Sequence, residues 1–149
     1  MKVNVDAALS KNSDLVALAA VARDGRGIFL GASALVLNGI TDPETAEVLA
    51  CHEGFVLAAD LMISRVRIAS YCAGAVRSLE GLEMSRYGHV IREIKTAMAS
   101  FEEAEVVYEG RASNIDAHTL ARSSIYKSKG RHIWFFDLSD GVCTSYNVN

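Results

Sequence analysis

Two acidic residues stand out because of what surrounds them. Asp6 interrupts the run Val3-Asn4-Val5-Asp6-Ala7-Ala8, which is otherwise apolar or small. Strand side chains alternate between faces, so Val3 and Val5 share one face and Asn4 and Asp6 the other. A carboxylate in such a run is costly unless it is paired, hydrogen-bonded or bound to a metal; the plainer reading is a turn Asp at the end of a strand. The second acid is Glu47, early in a helix that Asp42-Pro43-Glu44 starts. At ~100° per residue it lies roughly 120° from Glu53, which shares a face with Asp60. Glu47 aligns instead with Ala50, Gly54, Ala58 and Leu61, a small-residue stripe suited to close packing on a sheet. Glu47 either points inward or serves the helix dipole in the first turn. If Asp6 and Glu47 both point inward, they can share a hard cation such as Mg²⁺.

Other reactive side chains lack the spacing that chemistry needs. Cys51-His52-Glu53 are neighbours on a helix, so their side chains splay, and Cys51 reads as a packing residue. Position 56 is Val, which rules out an H-E-x-x-H zinc motif. Ser10, Ser13 and Ser123 have no nucleophile-elbow context. Gly25 and Gly27 read as turn glycines, because no Gly-Lys-Ser/Thr follows them. Cys51, Cys72 and Cys143 are odd in number, far apart and without a C-x-x-C pair, which argues against a zinc site and for an intracellular, reducing compartment.

The elements that must position the two acids follow from pattern. Three apolar runs, residues 3–8, 15–23 and 28–37, are joined by the turns Ser10-Lys11-Asn12-Ser13-Asp14 and Asp24-Gly25-Arg26-Gly27, as in an antiparallel meander. Asp42 can cap, Pro43 suits the first turn and Glu44 favours the helix N-terminus, which predicts a helix to about residue 62. A fourth strand follows at 65–70, helices at 73–79 and 88–101, a fifth strand at 104–108, and a last helix capped by Ser113 or Asn114 and running to about residue 126. The order β-β-β-α-β-α-α-β-α implies an α/β fold with a mixed sheet and helices on both faces. The aromatic tail at 130–149, with Ile133, Trp134, Phe135 and Phe136, is expected to pack back on the domain or to contact a partner.

At 149 residues the chain is expected to form one domain, residues 1–149, with a sizeable core. Half its residues are hydrophobic and 22% are charged, as in globular proteins. No apolar run reaches transmembrane length and the start lacks a signal-peptide core, so no membrane association is expected. The net charge of −3 argues against a strongly basic nucleic-acid binder, but the charge is segregated. Residues 42–64 hold Asp42, Glu44, Glu47, Glu53 and Asp60 and no Lys or Arg. Residues 111–132 hold Arg111, Arg122, Lys127, Lys129 and Arg131 against Asp116. One end can hold cations and the other phosphates, unless both are simply solvated faces.

In this order, several short motifs resemble the ribonuclease H-like domain family, in particular its plant branch related to non-LTR retrotransposon reverse transcriptase proteins. They are Val3-Asn4-Val5-Asp6-Ala7-Ala8, Ala20-Val21-Ala22-Arg23-Asp24-Gly25-Arg26-Gly27, Thr45-Ala46-Glu47-Val48-Leu49-Ala50, Gly54-Phe55-Val56-Leu57-Ala58, Arg111-Ala112-Ser113-Asn114 and Ala117-His118-Thr119-Leu120-Ala121-Arg122. The resemblance implies a five-stranded mixed sheet, three antiparallel strands and then parallel ones. It also implies hydrolysis of the RNA strand of RNA–DNA hybrids at acids that hold two Mg²⁺ or Mn²⁺ ions. Asp6 matches the family's first acid and Glu47 its second.

The third acid is expected after the fourth strand, where this chain has Ser70-Tyr71-Cys72. Tyrosine is a neutral phenol near pH 7 and a poor Mg²⁺ ligand. The fourth acid is replaced by His118, a residue also found there in the plant branch, and imidazole suits Mn²⁺ or Zn²⁺ better than Mg²⁺. Asp116 reads as a first-turn dipole residue and not as a substitute acid. Two of four acids thus remain. The expected site is Asp6 and Glu47 as metal ligands and His118 as auxiliary ligand or proton shuttle, with Tyr71 at the missing acid. Arg111, Asn114, Arg122, Lys127, Lys129 and Arg131 are the candidate nucleic-acid contacts. Two functions are carried forward: a weakly active or inactive RNA–DNA hybrid nuclease, and a non-catalytic module, with no cofactor, that binds nucleic acid or a protein partner.

Overall fold

Tight turns return the chain twice at its start. Asp24 Oδ1 accepts the backbone N–H groups of Arg26 and Ile28, each at 2.9 Å. Gly27 sits at φ 83°, a conformation that favours glycine. In the computed structural model, which describes residues 1–80 and 88–135, these turns join β1 (Lys2–Leu9), β2 (Leu15–Arg23) and β3 (Phe29–Asn38). The chain continues through α1 (Pro43–Asp60), β4 (Arg65–Ser70), α2 (Ala73–Glu80), α3 (Gly88–Ala99), β5 (Glu103–Tyr108), a 3-10 turn at Arg111–Asn114, α4 (Ile115–Ser124) and β6 (Gly130–Phe135). The predicted order of elements is observed, with boundaries shifted by a residue or two at helix ends. Asp42 caps α1 as expected, accepting from the Thr45 N–H at 2.9 Å and from the Thr45 hydroxyl at 2.6 Å.

Among the described residues the sheet has six strands, in the order β5-β4-β1-β2-β3-β6. β1, β2, β3 and β6 pair antiparallel, whereas β1–β4 and β4–β5 pair parallel. The mixed α/β architecture is as expected; the strand count of five is corrected to six. The extra strand is the start of the presumed tail, where Gly130 faces Val36 and Phe135 faces Gly31. It forms because Trp134 is buried against Ala32 and Ala34 on β3; residues 130–135 pack back on the domain as expected of the aromatic run, but as a sheet strand, which the local pattern does not announce. The expected partner-contacting residues beyond Phe135, and Cys143, lie outside the described residues.

The helices divide between the two faces. α1, α2 and α3 cover the face that carries Val3, Val5, Leu18, Ala20, Val66 and Ile68. α4 covers the other, packing Ala117, Leu120 and Ala121 on Ala19, Val21 and Ala34. α1 is buried nearly all round, between the sheet and α3, where the Phe55 and Phe101 rings lie 5.7 Å apart. Its small residues set how close it comes. A Cβ on Gly54 would meet Val5 Cγ1 at 2.8 Å and Ile68 Cδ1 at 2.9 Å. Cys51 is fully buried in this core, and that burial raises its thiol pKa, as suits a packing residue. No helix among the described residues is long and apolar enough to cross a membrane.

Gly54→Ala should destabilise the chain, because overpacking of about 1–3 kcal/mol outweighs a helix-propensity gain of at most about 1 kcal/mol. Urea denaturation measures it; a variant as stable as the parent would mean that α1 can stand off the sheet without loss.

Candidate functional site

β1 and β4 pair only over Lys2–Asn4 and Arg67–Ala69. β1 then runs on to Leu9 while β4 ends at Ser70, so past Asn4 this edge of β1 has no strand beside it among the described residues. Glu47, one turn into α1, fills the gap: its carboxyl accepts the Ala7 backbone N–H and touches the Asp6 carboxyl. Asp6 is fully buried and faces the same side as Ala19, its partner on β2. Asp6 Oδ2 lies 2.8 Å from His118 Nδ1 on α4, and as a carboxylate it can only accept, so Nδ1 carries the proton. One oxygen of each acid, Asp6 Oδ1 and Glu47 Oε1, is buried with no hydrogen-bond partner among the described residues. Burial first, then the Asp6 charge and the contact with its carboxyl, raise the Glu47 pKa above neutrality; the Ala7 hydrogen bond opposes them.

Tyr71 follows directly on β4 and stands beside this pair. Burial and the Asp6 charge raise its hydroxyl pKa, the neighbouring Arg111 opposes them, and Glu47 adds to the rise. It remains a neutral phenol, with the Arg111 guanidinium carbon 5.5 Å from its ring centroid. The four positions expected to form a site, Asp6, Glu47, Tyr71 and His118, are therefore brought together.

What aims α4 at this point is a pair of asparagines. Asn4 Nδ2 donates to the Ser113 carbonyl at 3.0 Å and to Asn114 Oδ1 at 3.2 Å. Asn114 Nδ2 donates to the Val5 carbonyl at 3.1 Å. These bonds fasten the 3-10 turn to β1 and set His118, one turn into α4, over Asp6. Asn114 is buried, so its assignment as a nucleic-acid contact is corrected: its amide is used inside the fold. It occupies the N-cap position of α4 without a side-chain cap bond. Asn4 was not singled out, although its place on the Asp6 face of the strand was the signal that could have found it.

Do these residues fit a metal? Among the described residues, no three His, Cys, Asp or Glu side chains group as a ligand set. The two orphaned carboxyl oxygens fit one hard dication, which would displace the Glu47 proton. Two close dications need more anionic oxygens than Asp6 and Glu47 supply. Neither the Tyr71 phenol nor His118 Nδ1, already bonded to Asp6, makes up the difference.

The basic candidates separate by partner. Arg111, Arg122 and Lys129 are exposed and have no carboxylate partner among the described residues. Lys127 lies with its ammonium 5.8 Å from the Trp134 ring centroid. Arg131 is corrected from a phosphate contact to a structural cation. Its Nε donates to buried Glu53 at 2.9 Å, and Nη1 lies 2.6 Å from Asp60. Glu53 also accepts from the Ser33 hydroxyl at 2.5 Å, so this cluster ties β6 and β3 to α1. Lys2, Arg23, Arg65 and Arg67 pair with Glu109, Asp116, Glu102 and Glu105. Asp116 therefore turns to Arg23 in the first turn of α4. An open groove of about 960 Å³ lies among these paired residues near the start of β1, and none of Asp6, Glu47, Tyr71 or His118 lines it.

A mixed sheet built this way, with an acid within β1, a second on α1 and α4 against the opposite face, is a ribonuclease H-like domain. The chain belongs to the reverse transcriptase-like family, which matches residues 4–124. Among solved structures it is similar to RNase H1 from the halophilic archaeon Halobacterium salinarum NRC-1, at 18% identity and a TM-score of 0.74, covering 85% of this chain and 98% of that one. It is also similar to LC11-RNase H1 in complex with RNA/DNA hybrid, at 18% identity and a TM-score of 0.73, covering 85% and 96%. A third likeness is to the foamy viral protease-reverse transcriptase in complex with RNA/DNA hybrid, at 17% identity and a TM-score of 0.68, covering 85% of this chain and 20% of that one. At these identities the likeness is one of fold. No curated protein matches the sequence significantly.

Two outcomes follow from the buried charges. Glu47 has a raised pKa in the folded chain, so between its unfolded value of 4.5 and its folded value the folded state holds the extra proton and stability falls as pH rises. Glu47→Gln should remove that slope, which for one proton is at most about 1.4 kcal/mol per pH unit. Denaturation at pH 5, 7 and 8.5 should show the variant gaining on the parent with pH, and parallel curves would refute the shared proton. Arg131→Ala strands Glu53 inside the protein, so stability should fall by about 3 kcal/mol, with amide exchange in β6 accelerated first.

Proposed function

We propose that this chain binds RNA–DNA hybrids or related nucleic acid across the face formed by Asp6, Glu47, Tyr71 and His118. The observation that carries this reading is the pair of fully buried Asp6 and half-buried Glu47, with an orphaned oxygen on each acid among the described residues and His118 bonded to Asp6. The two hybrid-bound proteins of the same fold support the choice of ligand. Asp6 and Glu47 would hold one Mg²⁺ or Mn²⁺, and a bound dication would supply electrostatic stabilisation of phosphoryl charge. His118, oriented through Nδ1 by Asp6, is half exposed and placed to take or give a proton. Arg111, Arg122 and Lys129 offer unpaired charge to phosphates. Hydrolysis of the RNA strand is weak or absent in the chain as it stands, because Tyr71 occupies the place of a third acid.

Tyr71 is also the specific observation that favours a second reading, a non-catalytic nucleic-acid-binding or protein-interaction module that has kept the fold. The plant-branch placement rests on the His118-containing helix motif, and the free thiols of Cys51 and Cys72 fit a reducing, intracellular setting.

Cleavage of a labelled RNA–DNA hybrid in Mg²⁺ or Mn²⁺ tests the proposal. The parent should cleave weakly or not at all. Tyr71→Asp should gain at least tenfold, on the order of 1.4 kcal/mol or more of transition-state stabilisation, and adding Asp6→Asn should abolish the gain. Cleavage by neither the parent nor Tyr71→Asp leaves the binding module as the function. Vigorous cleavage by the parent, indifferent to Asp6→Asn, would overturn the site altogether.

A further inference from the structure

The pair formed by Tyr71 and Arg111 is not explained by the loss of an acid alone. Arg111 is exposed, and its guanidinium carbon lies 5.5 Å from the Tyr71 ring centroid. It has no carboxylate partner among the described residues, although Asp6 and Glu47 stand next to the ring on which it rests. Asp6 is already bonded to His118 and touched by Glu47. Arg23 is paired with Asp116 and Arg67 with Glu105. Arg111 also has a rigid base. It opens the 3-10 turn that Asn4 and Asn114 fasten to β1, and Tyr71 is held where β4 ends and α2 begins. The guanidinium also donates a hydrogen bond to the Tyr71 hydroxyl; with five N–H donors in a planar fork, those that remain can meet two oxygens of a phosphate.

We infer that Arg111, seated on Tyr71, is a phosphate-binding residue of the acid site, taking a backbone phosphate where a third carboxylate and a second dication would otherwise gather. The inference rests on the nucleic-acid reading above and deepens it. Tyr71 then acts as a positioning residue, the platform that holds a fixed cation in place of an exchangeable one. The site is built for one dication, at Asp6 and Glu47, plus one guanidinium. Arg111 holds its charge without any metal, so part of the affinity for nucleic acid survives chelation.

The test is binding of a fluorescent RNA–DNA hybrid by the full chain in EDTA, across a series of salt concentrations, with thermal unfolding confirming that each variant folds. Arg111→Ala should weaken binding about five- to tenfold and lower the salt slope by about one. Arg111→Lys should recover only part of it, since the ammonium lacks the planar fork. Tyr71→Phe, which keeps the ring but loses the hydroxyl bond to Arg111, should fall between the parent and Arg111→Ala. Tyr71→Ala should approach Arg111→Ala, and the double variant should be no weaker than Arg111→Ala alone. In a separate Mn²⁺ titration followed by electron paramagnetic resonance, the parent should take one ion, lost in Glu47→Gln, and Tyr71→Asp should take two. Parent-like affinity and salt slope in Arg111→Ala, or two Mn²⁺ ions on the parent, would overturn this inference and leave the nucleic-acid reading intact. A parent that shows no hybrid binding at low salt would overturn both.

Discussion

Two carboxyl groups in contact inside a protein are unfavourable unless a proton or a cation lies between them, and this structure is arranged so that they meet. The contact needs an opening in the sheet, which exists because β1 and β4 part after Asn4. It needs α1 close enough for Glu47 to reach the Ala7 N–H, and the close approach at Gly54 permits that. It needs a third element on the opposite face to engage Asp6, and the Asn4–Asn114 bonds place α4 there. Each device alone is ordinary packing. Together they bring side chains from a strand, two helices and a strand end to one point, where a proton on Glu47 or a cation relieves the contact.

How far this was legible in the sequence follows from whether each signal is local. Strands and turns carry their own patterns, and Asp42 caps its helix three residues away, so most elements were readable. The periods of two and 3.6 separated Asp6 from the Val3–Val5 face and Glu47 from the Glu53–Asp60 stripe, but left a turn Asp and a helix-dipole Glu open, because what brings the two acids together is long-range. What escaped depends on partners far along the chain. β6 is held by Trp134 against β3 and by Arg131 reaching Glu53, 78 residues apart. Its polar residues, Arg131 and His132, hid it from an apolar-run reading. Asn114 looked like a cap and an exposed contact because its partners, Asn4 and Val5, lie 109 residues or more away.

The basic stretch at 111–131 shows the same point in electrostatic terms. Counted along the chain it is one cluster. In three dimensions Arg131 satisfies two carboxylates and belongs to the core of the β3–β6–α1 junction, while Arg111, Arg122 and Lys129 keep their charge for solvent or ligand. Removing Arg131 would therefore act on stability, and removing Arg111 on binding. A sum of charges treats the two alike.

The electrostatics around Tyr71 bear on why a site can lose an acid and still have a use. A cluster of carboxylates without its metals repels a phosphate backbone, so such a site binds nucleic acid only when loaded. Replacing one carboxylate by a neutral phenol removes part of that repulsion, and a guanidinium on the phenol adds attraction at short range, where screening is weakest. The proton on Glu47 lowers the negative charge of the unloaded site further. The features that disfavour a two-metal site thus favour metal-independent contact with phosphate, and both rest on Tyr71 at the end of β4 and on Arg111 in the turn fastened to β1.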